Sequence, residues 1–122
     1  MAERPAAGRR FFRLVRNDPA GESDFYSQEK VGRKPRPNLT PIQLHAFRDG
    51  VSVDDSEAGA RARATRFRAN PNAPTYPFVA IIDVPAGSPI TCDDAIGPPG
   101  HWTLYGSPNE QLACVTEPII VL

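Results

Sequence analysis

Phe78-Val-Ala-Ile-Ile-Asp-Val84 is a nearly unbroken apolar run with one aspartate in it. A stretch this short and this rich in β-branched residues reads as a strand buried on both faces, the centre of a sheet. That one element sets the class of fold, because a central strand needs partners on both sides. Further short strands follow it. Turns at Pro85-Ala86-Gly87, Gly97-Pro98-Pro99-Gly100 and Gly106-Ser107-Pro108-Asn109 divide the rest of the chain into short strands. The pattern predicts an edge strand at 88–92 and further strands near 101–105 and 112–121.

Upstream the pattern is mixed. Phe11-Phe12-Arg13-Leu14-Val15-Arg16 reads as a strand that ends at Asn17-Asp18-Pro19-Ala20-Gly21. Ser23 then caps a predicted helix through about Lys30. The clearest local signal is Thr40-Pro41-Ile42-Gln43, which combines an N-cap, a proline at the first helical position and a glutamine able to close a capping box. It predicts a helix over 41–48, stopped by Asp49-Gly50. Val51-Ser52-Val53 reads as a short buried strand. The next helix, 56–68, starts at Asp54 or Asp55, with Glu57 spaced from Asp54 as a capping pair. Ala60, Ala64 and Phe67 lie on one narrow apolar face. The expected fold is therefore α+β: short helices in the N-terminal half, packed on a mostly antiparallel sheet. Residues 1–8 are expected to be a flexible tail and 9–122 a single domain.

Fourteen prolines and nine glycines in 122 residues leave little room for long helices. No segment approaches the ~18 apolar residues of a membrane helix, and no signal-peptide stretch precedes the first strand, so a cytoplasmic location without membrane contact is expected. Cys92 and Cys114 are expected as free thiols. His45, His101, Cys92 and Cys114 lack metal-ligand spacing, so no metal is expected. Phosphate-loop and nucleophile-elbow motifs are absent.

The charges are sharply divided. The first 68 residues hold all fourteen basic residues against nine acidic, a net of +5, and the remainder holds five acidic and no basic residues. Such a division can place an anion-binding surface and a carboxylate in one molecule. Arg33, Lys34 and Arg36 form one cluster, and Arg61, Arg63, Arg66 and Arg68 lie along a helix. Zero net charge and a pI near 6.7 make nucleic acid a less favoured partner.

The strand around Arg13, the segment Gly50-Val-Ser-Val-Asp-Asp-Ser-Glu-Ala-Gly-Ala-Arg61 and the late Pro108-Asn-Glu110-Gln-Leu-Ala-Cys-Val-Thr-Glu-Pro-Ile-Ile120 together resemble the mono-ADP-ribosyltransferase fold. The resemblance implies an enzyme that uses NAD as substrate, cleaves the nicotinamide–ribose bond and transfers ADP-ribose to an acceptor. It assigns Arg13, or its neighbour Arg16, to the NAD ribose or phosphate. It assigns Ser52 to the nicotinamide pocket and Glu110 to catalysis, where a carboxylate stabilises positive charge on the ribose. The sequence departs from the family at Val51-Ser52-Val53, where a Ser-Thr-Ser is usual, and at Pro108, where an acidic residue or Gln often stands. The alternative is a non-enzymatic bacterial binding module, docking an acidic protein partner or nucleic acid through the basic N-terminal half.

Overall fold

The computed structural model describes residues 3–122, the side chains of Glu117 and Pro118 apart. Seven strands form one sheet, and every pairing is antiparallel: β1 (Arg4–Pro5), β2 (Arg10–Val15), β3 (Gly50–Asp54), β4 (Phe78–Asp83), β5 (Thr91–Asp93), β6 (His101–Tyr105) and β7 (Val115–Val121). Their order across the sheet is β1-β5-β6-β3-β2-β4-β7. Among the described residues three helices accompany them, α1 (Pro41–Asp49), α2 (Glu57–Ala69) and α3 (Pro108–Leu112), with a 3-10 turn at Glu22–Phe25. The α+β expectation holds. No helix among the described residues is long and apolar enough to cross a membrane.

The capping chemistry explains where the helices start. Thr40 Oγ1 accepts from Gln43 N at 3.2 Å, and Gln43 Oε1 accepts from Thr40 N at 2.9 Å. This is the capping box expected for α1. α2 is capped by Ser56, whose Oγ accepts from Gly59 N at 3.0 Å, and not by Asp54 or Asp55. Asp54 is unavailable because it ends β3 and is held by Arg63.

Three further expectations are corrected. The segment 23–30 forms only the 3-10 turn and then loop. There the Asp24 carboxylate gathers Arg16 N, Asn17 Nδ2 and Gly21 N, which pulls the chain into a tight local knot. The start of the predicted 112–121 strand is helical, because Ser107, Pro108 and Glu110 build a second capping box. The predicted tail is not free along its length: Arg4–Pro5 pairs with β5, and Ala6 is fully buried with its N–H on the Ile90 carbonyl. The segment expected as an edge strand is thereby covered.

Two apolar clusters lie on the sheet. Phe11, Val51, Val53, Ile82, Trp102 and Leu104 belong to the larger one. Leu14 and Val79, which are cross-strand partners, meet Ala60 and Ala64 of α2 in the smaller. Those two alanines let the helix lie close to the sheet, as their spacing predicted. Residues 52 and 54 alternate with the buried valines of β3, and 101 and 103 alternate with Trp102 and Leu104 of β6. Ser52, Asp54, His101 and Thr103 therefore share the opposite face, paired Ser52↔Thr103 and Asp54↔His101. Gly50 is required by this packing, since a Cβ there would run into Thr103 Cγ2.

β4 lies between β2 and β7, as the apolar run demanded. Its two isoleucines differ, however. Ile82 is completely buried in the larger cluster, whereas Ile81 is half-buried. Ile82→Ala should lower stability by about 2–5 kcal/mol through lost burial and a residual cavity. Ile81→Ala should cost distinctly less. Urea unfolding of both variants checks this, and equal losses would show that the two faces of β4 are packed alike.

Candidate functional site

The site is built where the sheet opens. β2 pairs with β4 at six positions but with β3 at only one, Phe12↔Asp54. Beyond that point the Arg13 side chain bridges the two segments. Its Nη1 donates to the Ser52 carbonyl at 2.6 Å, and its Nε donates to the Asp24 carbonyl at 2.7 Å. A guanidinium carries five N–H donors, so three remain without a partner among the described residues. Among the described residues no carboxylate bonds to it, because the Asp24 carboxylate is consumed by its own loop. Burial pushes the Arg13 guanidinium down to about 10, still cationic at neutral pH.

Arg13 forms part of the wall of a cleft of about 800 Å³. The sheet contributes Ser52, Asp54, His101 and Thr103, the 3-10 region contributes Ser23 and Tyr26, and α2 contributes Arg63 and Phe67. Tyr76 stands on the segment leading to β4, and Arg33, Lys34 and Arg36 form a basic rim. Arg16, the other arginine of the first strand, also faces the cleft, with its guanidinium 5.4 Å from the centre of the Tyr76 ring. Ser52 is exposed on β3, in contrast to the buried valines on either side.

A second polar cluster stands beside these residues. Arg63 grips Asp54 with two parallel bonds, Nε to Oδ2 at 3.0 Å and Nη2 to Oδ1 at 2.9 Å, and so ties α2 to β3. His101 is buried at the start of β6. Its Nδ1 donates to the Ile96 carbonyl at 2.6 Å, which leaves Nε2 as the acceptor of the neutral ring. Gly97, at φ +88, leaves room for the imidazole; a Cβ there would lie 2.8 Å from Nδ1. Burial, and after it the Arg63 cation, hold the His101 pKa below its ordinary value.

The structure brings Arg13 and Ser52 together and leaves Glu110 apart. Glu110 is exposed on the first turn of α3, where its Oε1 accepts from Ser107 N at 2.8 Å. It does not line the cleft. Its local role was visible in the sequence, since Ser107-Pro108-Asn109-Glu110 repeats the logic of Thr40-Pro41-Ile42-Gln43. The site residues that sequence reasoning did not assign are Asp54, Arg63, His101 and Thr103. Cross-strand register brings three of these together, and no linear motif could have shown it. Cys92 and Cys114 are free and buried, and among the described residues no three His, Cys, Asp or Glu side chains are placed to hold a metal ion. No protein-family model, curated protein or solved structure matches the chain.

His101 gives the site a pH signature. Its folded-state pKa lies below the ~6.5 of a free imidazole, so the unfolded chain takes up the proton first as pH falls. Stability should therefore decline from about pH 6.5 down to the folded-state pKa and lose nothing further from this group below it. Urea midpoints measured between about pH 7.5 and 5 should fall less steeply for His101→Gln than for the parent protein. Identical slopes would mean that His101 titrates alike in both states.

Proposed function

We propose that the cleft binds an NAD-class dinucleotide, with the diphosphate or adjoining ribose on Arg13 and the nicotinamide end beside Ser52. The observation that carries this reading is the Arg13 guanidinium, which is set into the cleft between two carbonyls with three donors unfilled and, among the described residues, no carboxylate bonded to it. A partly desolvated cation of this kind is completed by a phosphate, which matches its planar fork. Further support comes from Ser52 exposed on the neighbouring strand, from the alanine-bearing α2 that follows it, and from a cleft volume typical of small-molecule sites. On this reading the domain is ADP-ribosyltransferase-like, takes NAD as substrate and passes ADP-ribose to an acceptor.

The cleavage step is a separate matter. It builds positive charge on the ribose, which a carboxylate in the cleft would stabilise. Glu110 is the carboxylate that the resemblance nominates, yet it caps α3 outside the cleft lining. Asp54 lies inside but is already neutralised by Arg63. These two facts favour a second reading, in which the cleft binds its anionic ligand without cleaving it and the chain is a binding module.

Calorimetry with NAD separates the possibilities. The parent protein should release or absorb heat on titration. Arg13→Ala should weaken binding by at least about tenfold, or ~1.4 kcal/mol, while Arg13→Lys retains the charge but not the fork. Circular dichroism confirms that each variant is folded. Nicotinamide release by the parent selects the transferase, and binding without release selects the module. Glu110→Gln should leave NAD affinity unchanged, and a collapse of nicotinamide release in that variant would restore Glu110 to catalysis. No heat at millimolar NAD, with no nicotinamide released, overturns the dinucleotide reading.

A further inference from the structure

The rim of the cleft carries charges that the floor does not need. Arg33, Lys34 and Arg36 lie in a segment, residues 31–38, in which every residue is exposed. Their side chains have no acidic partner among the described residues. The two carboxylates that line the cleft, Asp24 and Asp54, are consumed by the Arg16–Gly21 loop and by Arg63. The positive charge of the rim is therefore uncompensated. Two half-buried aromatic rings are set among these cations: Tyr76 beneath Arg16, and Tyr26, whose ring centre lies 4.6 Å from Lys30 Nζ. An acidic peptide would use the charges and leave the rings idle. Cations grouped with partly exposed aromatic rings are what a single strand of nucleic acid uses, with its phosphates on the first and its bases on the second.

We propose that the rim binds single-stranded nucleic acid, with phosphates on Arg16, Arg33, Lys34 and Arg36 and bases stacked on Tyr26 and Tyr76. The proposal rests on the cleft being the ligand site. In the transferase reading it names the acceptor class, because a strand on this rim presents its bases and sugar hydroxyls to whatever Arg13 holds.

The test is fluorescence anisotropy of the full chain with labelled twelve-nucleotide oligo-dT and oligo-U, a duplex of the same length, and a hexaglutamate peptide. The single strands should bind more tightly than the duplex or the peptide. For four phosphate contacts, log K should fall against log salt with a slope of about −3. Lys34→Glu/Arg36→Glu should weaken single-strand binding by at least about thirtyfold. The charge-matched Arg66→Glu/Arg68→Glu, on the part of α2 outside the cleft, should stay within about threefold of the parent protein. Tyr26→Ala should lose about tenfold and Tyr26→Phe should keep parental affinity, with thermal melts confirming folding.

Equal losses in the two charge-reversal pairs would reduce the effect to diffuse attraction and overturn the proposal. So would peptide binding as tight as that of the strands, or an inert Tyr26→Ala. If the strand binds as described and NAD does not, the dinucleotide reading fails and the rim stands.

Discussion

The separation of β2 from β3 after a single paired position is the feature on which the cleft depends. A continuous ladder there would close the sheet and leave no opening. The gap instead takes in the Arg13 side chain, whose donors satisfy the Ser52 and Asp24 carbonyls at the point where strand pairing stops. The arginine thus joins the two halves of the sheet, and in doing so it is held in a partly desolvated position. Because backbone carbonyls satisfy only some of its donors and carry no net charge, the cation remains electrostatically incomplete. One residue therefore keeps the cleft edge together and gives it an affinity for anions.

The charge division in the sequence is partly undone by folding. Strands from the two halves are interleaved in the sheet, so Arg10 meets Asp83 at 2.6 Å and Arg4 meets Asp94 at 2.9 Å. These pairs are solvent-exposed and contribute little to stability. Their consequence is where they leave the remaining charge. Asp94, Asp83 and Glu110 of the C-terminal half are drawn to β1, β2 and the cap of α3, while Arg33, Lys34 and Arg36 keep their charge facing water beside the cleft. At the other end of α1, His45 stacks on Tyr105 with ring centres 4.3 Å apart and lies between the Glu3 and Asp49 carboxylates, which fastens the N-terminal segment to the helix.

Local chemistry was the legible part of this chain. Thr40-Pro41-Ile42-Gln43 fixed the start of α1 because a capping box closes within four residues. The apolar run at 78–84 fixed β4 because burial on both faces leaves no polar alternation. Strand β6 was readable from turns on either side. Ser107-Pro108-Asn109-Glu110 carries the same capping signal as α1, and the structure uses Glu110 for that cap and not for the catalytic role the resemblance implies. The 23–30 segment failed as a helix because Asp24 bonds to three nearby nitrogens, a local competition that propensity does not register.

What the sequence determined by itself was α1, α2 and the strands β2, β3, β4 and β6, since these follow from period, caps and turns within a few residues. It also marked Arg13 and Ser52 as candidates, though not their mutual contact. Only the tertiary structure decided that the first 68 residues and the last strands share one sheet, and that β6 sets His101 and Thr103 opposite Asp54 and Ser52. It alone separated Glu110 from Arg13. The reason is that cross-strand register is a long-range property: which residues face each other depends on how distant strands slide together, and a one-residue slip would turn each of them to the other face.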